Sequence, residues 1–335
     1  MTWFPSNGDP TYRDEEPLKR KVLTGLGLAV DELRETTVFD RNTTKTEREK
    51  LVFCAVDEFD LNLTYGWYLA GTLTATPTPE SSTQLPTPNT PDPEVERYRR
   101  FFAEDELFRV GGAGEEYTLV NVLLGTSKHQ FLIDFYKEFA PEEYRELYIE
   151  STKIREELET MGEKLDSQGE DMSLGSFGVT TEVLSQSEIS DLRRNISGLH
   201  IELTSEAFED IRKPVIEGTD IIEMALKGAA GRESLTDDQE RILLDLGDFY
   251  YDYVWKYPAH QIAANEASGP HAGEFKQRHS SKLDKFDQKL NEKRESIESK
   301  CLKANLLTGP NEYVSDEKAE LADLIHSLVK DEVKP

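Results

Sequence analysis

Along most of the chain, apolar residues recur at steps of three and four, which predicts helices that each bury one face. Pro17 opens the first of them, and Leu18, Val22, Leu26, Ala29, Val30 and Leu33 form its stripe. A second begins near Thr44 or Thr46 and carries Leu51, Val52, Ala55, Val56 and Phe59. Val95, Tyr98, Phe101 and Phe102 mark a short helix, and Phe131, Leu132, Phe135 and Phe139 a longer one that Pro141 closes. From Pro141 the spacing lengthens into a heptad-like seam of Tyr144, Leu147, Ser151, Ile154, Leu158, Met161 and Leu165. Ser185 with Glu188 and Thr236 with Gln239 read as capping boxes ahead of two further helices. The first continues as Ile189, Leu192, Ile196, Leu199 and Leu203, and the second as Ile242, Leu246, Phe249, Tyr253 and Tyr257, with a stop near Pro258. Between them, Phe208, Ile211, Val215 and Ile222 form a helix that Pro214 should kink or split. Leu283, Phe286, Leu290, Ile297 and Cys301 line a long helix, and Leu321, Leu324, Ile325 and Leu328 a short terminal one.

Three stretches break the helical pattern. Leu107 to Val120, turning at Gly111-Gly112-Ala113-Gly114, reads as a β-hairpin and is the one strand candidate. Leu63 to Gly71 is an aromatic cluster between glycines, too apolar for a free loop and too irregular for a surface helix. Six prolines among Thr, Ser, Gln and Asn at 76–93 leave room for neither helix nor ladder and predict a disordered insertion. The fold class is therefore mainly α. A loose tail (1–16) precedes a compact helical N-terminal domain (17–139) that contains the insertion and a small hairpin near 107–120. An elongated, coiled-coil-like helical bundle (141–331) follows.

Charge adds a second layer. Sixty-six acidic residues against 39 basic ones give a net charge of −27, spread along the 335 residues rather than gathered in a tail. At about 1 M salt the Debye length falls to roughly 3 Å and screens such self-repulsion, so the excess points to a halophilic cytoplasm. No apolar run is long enough to span a bilayer, and Met1 to Asp9 lacks the features of a secretory signal.

Catalytic motifs are absent from the sequence. Gly25-Leu26-Gly27 lies within an amphipathic helix, follows no strand and lacks the third glycine of a dinucleotide loop, which leaves close helix packing as its role. The glycines at 111–114 run into Glu115 and Glu116, which would repel a phosphate. Neither Cys54 nor Cys301 has a thiol or His neighbour in sequence, and no two histidines stand three or four apart. No catalytic, cofactor or metal residue is assigned.

One local deviation stands out: Lys276, Arg278, Lys282, Lys285, Lys289, Lys293, Arg294, Lys300 and Lys303 outnumber the acids between His271 and Ala304. Most of these lysines flank one side of the helix's apolar seam, as in a helix paired with a partner of opposite charge. Glu143, Glu146, Glu150 and Glu157 on the helix after Pro141 are the expected intramolecular partners. Nucleic acid is disfavoured, because about six phosphate contacts lose roughly five decades of affinity per tenfold rise in salt.

The segments Lys50 to Phe59 and Leu63 to Gly71 resemble an uncharacterised domain of haloarchaeal proteins of unknown function. More distantly, residues 17–135 are similar in order to the Panacea domain of SocA-like antitoxins, although Trp67 stands where that family usually has proline after Tyr-Gly. The Panacea resemblance implies a helical interaction domain without catalysis. The resulting expectation is a non-catalytic interaction or regulatory protein with an unnamed protein partner. Tyr65, Trp67, Tyr68, Lys282, Lys285, Lys289, Lys293 and Lys300 are its candidate contact residues, and self-association through the C-terminal helices is a further arrangement. The alternatives are a DNA-associated regulator, with a helix-turn-helix or a wing near Gly111, and an enzyme whose site lacks a sequence motif.

Overall fold

The computed structural model describes residues 10–37, 41–76, 78, 92–110, 114–125, 127–170, 184–232 and 234–307. Most of the Pro/Thr-rich stretch and the helix expected around Leu321 to Leu328 lie outside them. Within them the mainly α reading holds.

Helix α1 (Glu16–Thr36) has Pro17 in its first turn, where the missing N–H is no loss. Helix α2 (Lys45–Phe59) starts at a Thr44–Glu47 capping box. Then follow α3 (Pro93–Glu104), α4 (Lys128–Phe139) capped by Ser127, and α5 (Arg145–Glu170). Both expected capping boxes form, Ser185–Glu188 ahead of α6 (Gln186–Glu202) and Thr236–Gln239 ahead of α8 (Asp237–Phe249), with α7 (Glu209–Ala229) between. Every residue of the predicted α5 seam, from Tyr144 to Leu165, is buried, and α5 packs along α6.

Two prolines act differently from expectation. Helix α7 runs unbroken through Pro214, its sixth residue, which forfeits the one intrahelical bond that an amide there would make to the Asp210 carbonyl. The helix expected to stop near Pro258 instead widens into a π-turn (Tyr250–Val254), in which the Trp255 amide donates to the Tyr250 carbonyl at 2.7 Å, and resumes as α9 (Lys256–Asn265). The π-turn ends at Val254, whose carbonyl a non-proline residue 258 would have engaged.

The strands hold the main surprise. The 63–71 cluster is a hairpin, β1 (Tyr65–Tyr68) with β2 (Gly71–Thr74), joined by Leu69 and Ala70. Leu69 sits at φ 24° and Gly71 at φ 86°, so the tip is a left-handed turn. The expected hairpin also forms, as β3 (Phe108–Val110) with β4 (Glu115–Tyr117). A two-residue strand, β5 (Ala267–Ser268), then pairs with the free edge of β1, giving the order β2-β1-β5, and the long helix α10 (Ala272–Lys303) closes the described chain. Both faces of β1 are buried, which removes the polar–apolar alternation that signals a strand.

The buried apolar cluster runs from Tyr12 to Leu306 and draws on every helix. In the stretch read as a loose tail, Pro10–Tyr12 form a 3-10 turn, Tyr12 is buried, and Glu15 accepts a 2.9 Å bond from the Thr64 amide. No described helix is long and apolar enough to cross a membrane.

Gly25 has the close-packing role its context implied. A Cβ there would lie 2.6 Å from the Tyr98 Cβ and 2.9 Å from the Arg99 amide nitrogen, so α1 and α3 cross almost backbone to backbone. Alanine gains about 1 kcal/mol of helix propensity over glycine, whereas overpacking against an immovable backbone costs about 1–3 kcal/mol. Gly25→Ala is therefore expected to lower the urea midpoint, while the same change at Gly247, where a Cβ would meet nothing within 4 Å, should raise it.

Candidate functional site

Chemistry-bearing side chains gather around the β1–β2 hairpin. Because strand residues alternate between faces, Tyr65 and Trp67 point one way and Gly66 and Tyr68 the other. Tyr65 and Trp67 meet Phe53 edge-on, and Trp67 also packs on Phe135, Tyr136 and Tyr148. Of the three aromatics singled out in sequence, Trp67 and Tyr68 are buried and Tyr65 is half-buried.

On the opposite face, the Tyr68 hydroxyl lies 3.3 Å from His260 Nε2, and His260 Nδ1 lies 3.0 Å from His279 Nδ1. His260 comes from α9 and His279 from α10, nineteen residues apart. Burial drives the basicity of His260 down to about 2, helped by His279, Lys282, Lys256 and Lys289. Burial likewise takes His279 to about 3, with Lys282 and Arg278 contributing. Both imidazoles are neutral at pH 7, so one Nδ1 carries the shared proton and the other accepts it. This hydrogen-bonded chain leaves one donor over at one end, at His279 Nε2 or at the Tyr68 hydroxyl. Among the described residues no three or more His, Cys, Asp or Glu side chains converge as a metal-ligand set.

The outer edge of β2 meets the first turn of α2, where Glu47, Arg48, Glu49 and Lys50 are all buried. Glu49 accepts from the Thr74 amide at 3.1 Å, from the Thr74 hydroxyl at 2.8 Å and from the Thr78 hydroxyl. Its other partner is Lys19 of α1, at 3.1 Å, whose ammonium also donates to the Thr76 carbonyl at 2.6 Å. Burial alone would raise the Glu49 carboxyl, but Lys19 and these threonine donors overcome it and hold Glu49 ionised. Lys50 donates to the Thr72 carbonyl at 2.6 Å and lies 5.7 Å from the centre of the Phe135 ring. Burial, only partly opposed by Glu49, lowers its ammonium to about 7.

A third constellation lies where α4 meets α5. His129 Nε2 is 3.2 Å from Glu159 Oε2, Arg155 Nε donates to Glu159 Oε1 at 2.6 Å, and Lys128 lies 3.5 Å away. Against the pull of burial, His129, Arg155 and Lys128 together take the Glu159 carboxyl down to about 2. The Arg155 guanidinium stacks on Tyr251 of the π-turn at 4.1 Å. Lys128 and His129 of α4 thus meet Glu159 of α5, and this cluster joins the two helices.

The sequence-predicted lysines lie on α10, whose buried residues follow an eleven-residue period: Phe275, Phe286 and Ile297 on one line, His279, Leu290 and Cys301 on another. The cations keep the same period, since Arg278, Lys289 and Lys300 are eleven apart and so are Lys282 and Lys293. Eleven residues make almost three whole turns, so these lines run straight along the helix. Helix α10 packs on α9, α7 and α8, and the expected pairing with α5 does not form. Instead Glu150 binds Lys153, Glu157 accepts from Asn195, Lys300 reaches Asp245 of α8 at 3.0 Å and Arg294 pairs with Glu217 of α7. Lys282 is half-buried, and burial with Arg278, Lys256 and Lys289 nearby lowers it to about 8. Lys293 lies over the Tyr253 ring at 5.5 Å. Lys285 and Lys289 are exposed and make no ion pair among the described residues.

Near Gly111, where a wing was an alternative, Arg109 is held by Glu106 at 2.8 Å and Glu116 at 2.9 Å, while Phe108 and Tyr117 stack together and face Phe131 of α4. Sequence reasoning missed His260, His279, Lys19, Glu49 and Lys50. For the histidines no local spacing could have signalled the contact. For α2 a signal existed, namely four consecutive charges directly ahead of the apolar run Leu51 to Val56.

Among known families, the model described as Domain of unknown function (DUF8098) matches residues 9–334, well beyond the 17–135 region of the resemblances noted above. No curated protein and no solved structure matches.

Lys50 should be visible in the pH dependence of stability. Its folded value of about 7 lies below the ordinary 10.5, so between these limits the unfolded chain binds the extra proton and stability rises with pH. Lys50→Met removes the buried charge but orphans the Thr72 carbonyl, a loss of about 1–3 kcal/mol against a charge-burial cost that is larger at low pH. Urea unfolding is expected to find the variant more stable than the parent at about pH 6 and less stable at about pH 10.

Proposed function

The chain belongs to the family of the domain of unknown function DUF8098, and on that premise we propose that it is a non-catalytic interaction protein whose binding face is the cationic flank of α10. One observation carries this reading. Among the described residues most exposed cations are tied to carboxylates, as Arg20 is to Glu16, Arg109 to Glu106, Arg193 to Glu223, Arg194 to Asp191 and Arg241 to Asp238. In a chain of net charge −27 such pairing is easily arranged, yet Lys285 and Lys289 are exposed without it among the described residues, and half-buried Lys293 between their row and the core lies over the Tyr253 ring. Exposed cations left unneutralised in an acid-rich protein are available to a partner of opposite charge.

The other constellations support a structural rather than a catalytic role. The His260–His279–Tyr68 chain and the Lys19–Glu49 pair are buried, and Glu159 beside His129 is already held by Arg155 and Lys128. In this reading the protein works in a salt-adapted cytoplasm, where contact ion pairs shorter than the screening length survive better than long-range steering.

Poly-L-glutamate is a suitable probe. Bound to the full chain, it is expected to protect Lys285, Lys289 and Lys293 from reductive methylation more than Lys213 or Lys227. The Lys285→Glu, Lys289→Glu, Lys293→Glu triple variant, with an unchanged circular dichroism spectrum, should lose at least tenfold in affinity. Equal protection of all lysines, or equal affinity of the variant, would overturn the assignment of this face.

A further inference from the structure

Helices α5 and α6 run side by side in opposite directions, since Lys164 meets Glu188 and, further along, Glu157 meets Asn195. Glu157 is half-buried in this seam, and Asn195 donates to its Oε1 at 2.7 Å. Its Oε2 is closed off from water and has no hydrogen-bond partner among the described residues. An ionised carboxylate spreads its charge over both oxygens, so a buried oxygen without a donor opposes ionisation, and such a group takes up a proton instead.

The charges around Glu157 give it little relief. From α6 come Asp191 and Arg194, which pair with each other at 2.9 Å. On α5 itself, Glu150 is held by Lys153 at 2.6 Å, and Glu156 lies 3.8 Å from His129 of α4. Helices α4 and α8 reach α5 at Glu159 and Gly162, about 160° and 140° around the helix from Glu157, so they pack on other faces. A Cβ at Gly198 of α6 would fall 2.9 Å from the Glu150 carboxyl, which places the two helices in direct contact at this seam. Burial raises the Glu157 carboxyl to about 7; Asp191, Glu156 and Glu150 add to the rise and Arg194 opposes it.

We infer that the α5–α6 seam is clamped by a proton: α6 lies against α5 with Glu157 neutral, and loss of that proton loosens α6. Once exposed by opening, the same carboxyl returns towards its ordinary value of 4.5. Between 4.5 and about 7 the closed seam holds the extra proton, so opening becomes easier by up to about tenfold per pH unit across that window and levels off above it. The seam therefore tightens when the surroundings acidify from neutral. Other groups at α6 titrate as well. Burial, with Glu146 and Glu150, raises Glu202, and burial raises Asp220 of α7, both in the same direction as Glu157. Burial lowers His200, which lies 2.7 Å from the Thr219 hydroxyl and acts in the opposite direction. A substitution at Glu157 isolates its own share.

Hydrogen–deuterium exchange of the α6 amides in the full chain, corrected for the intrinsic acceleration of exchange with pH, reads the opening directly. Protection is expected to fall by about tenfold or more between pH 5 and pH 8. Glu157→Gln keeps the acceptor for Asn195 but never ionises, so it should remove most of that fall. A parent whose protection does not fall, or a variant whose protection falls as much as the parent's, overturns the clamp. Carbon-13 titration of the Glu157 carboxyl in the unaltered chain gives a second reading that no folding defect can blur. A midpoint near 7 is expected, and one at the ordinary 4.5 overturns the clamp whatever the variant does.

Discussion

A β-hairpin enclosed by helices must have the backbone groups of both outer edges satisfied, because each buried group left unpaired costs about 1–3 kcal/mol. Here the two edges are met by different means. One edge of β1 receives a short strand, Ala267–Ser268, together with the Glu266 carbonyl, which accepts from the Trp67 amide at 3.1 Å. The outer edge of β2 receives side chains instead: Lys50 donates to the Thr72 carbonyl, Glu49 accepts from the Thr74 amide, and just beyond the strand Lys19 donates to the Thr76 carbonyl. These charged groups complete the ladder in place of a missing strand. This explains why Glu49 and Lys50 of α2 are buried in a protein with ample surface for them, while Glu47 and Arg48 beside them hold the segment ahead of the helix, through the Thr44 amide and the Thr43 carbonyl.

The same hairpin fastens distant parts of the chain to each other. Its tip is held by Trp255, whose indole N–H donates to the Leu69 carbonyl at 2.6 Å, and its inner face by the Tyr68–His260–His279 chain. Gly66 lets the Phe275 ring of α10 lie directly on the strand, and Gly269, at φ 99°, brings the chain against Leu63 and Thr64. Helices α9 and α10 therefore pack against a structure made by residues 63–74, two hundred positions earlier.

This arrangement separates what the sequence makes legible from what it hides. Helix positions and caps are local properties, so Thr236–Gln239, Ser185–Glu188 and the α5 seam could be read directly, as could the mainly α class and the uncharacterised family. The central hairpin could not, because burial on both faces erased its period of two and left only an aromatic cluster. The histidine contact spans nineteen residues across two helices and has no local signature. The expected pairing of α10 with α5 failed for a related reason. Charge pattern identifies a flank that can be paired but not which neighbour the core places beside it, and the core gave α6 to α5 and α7, α8 and α9 to α10.

The π-turn between α8 and α9 has a consequence for how this part of the chain can change over evolution. A π-turn holds one more residue than the α-helical turn it replaces, so it resets the angular phase of everything after it by about 100°. Trp255 and His260 reach the hairpin tip and Tyr68 only because that extra residue has turned them there. The stretch from Phe249 to His260 therefore has a fixed length in a way that surface loops do not. Losing one residue would restore an ordinary helix and rotate both side chains off the hairpin, so descendants of this sequence should vary in composition here far more readily than in residue count.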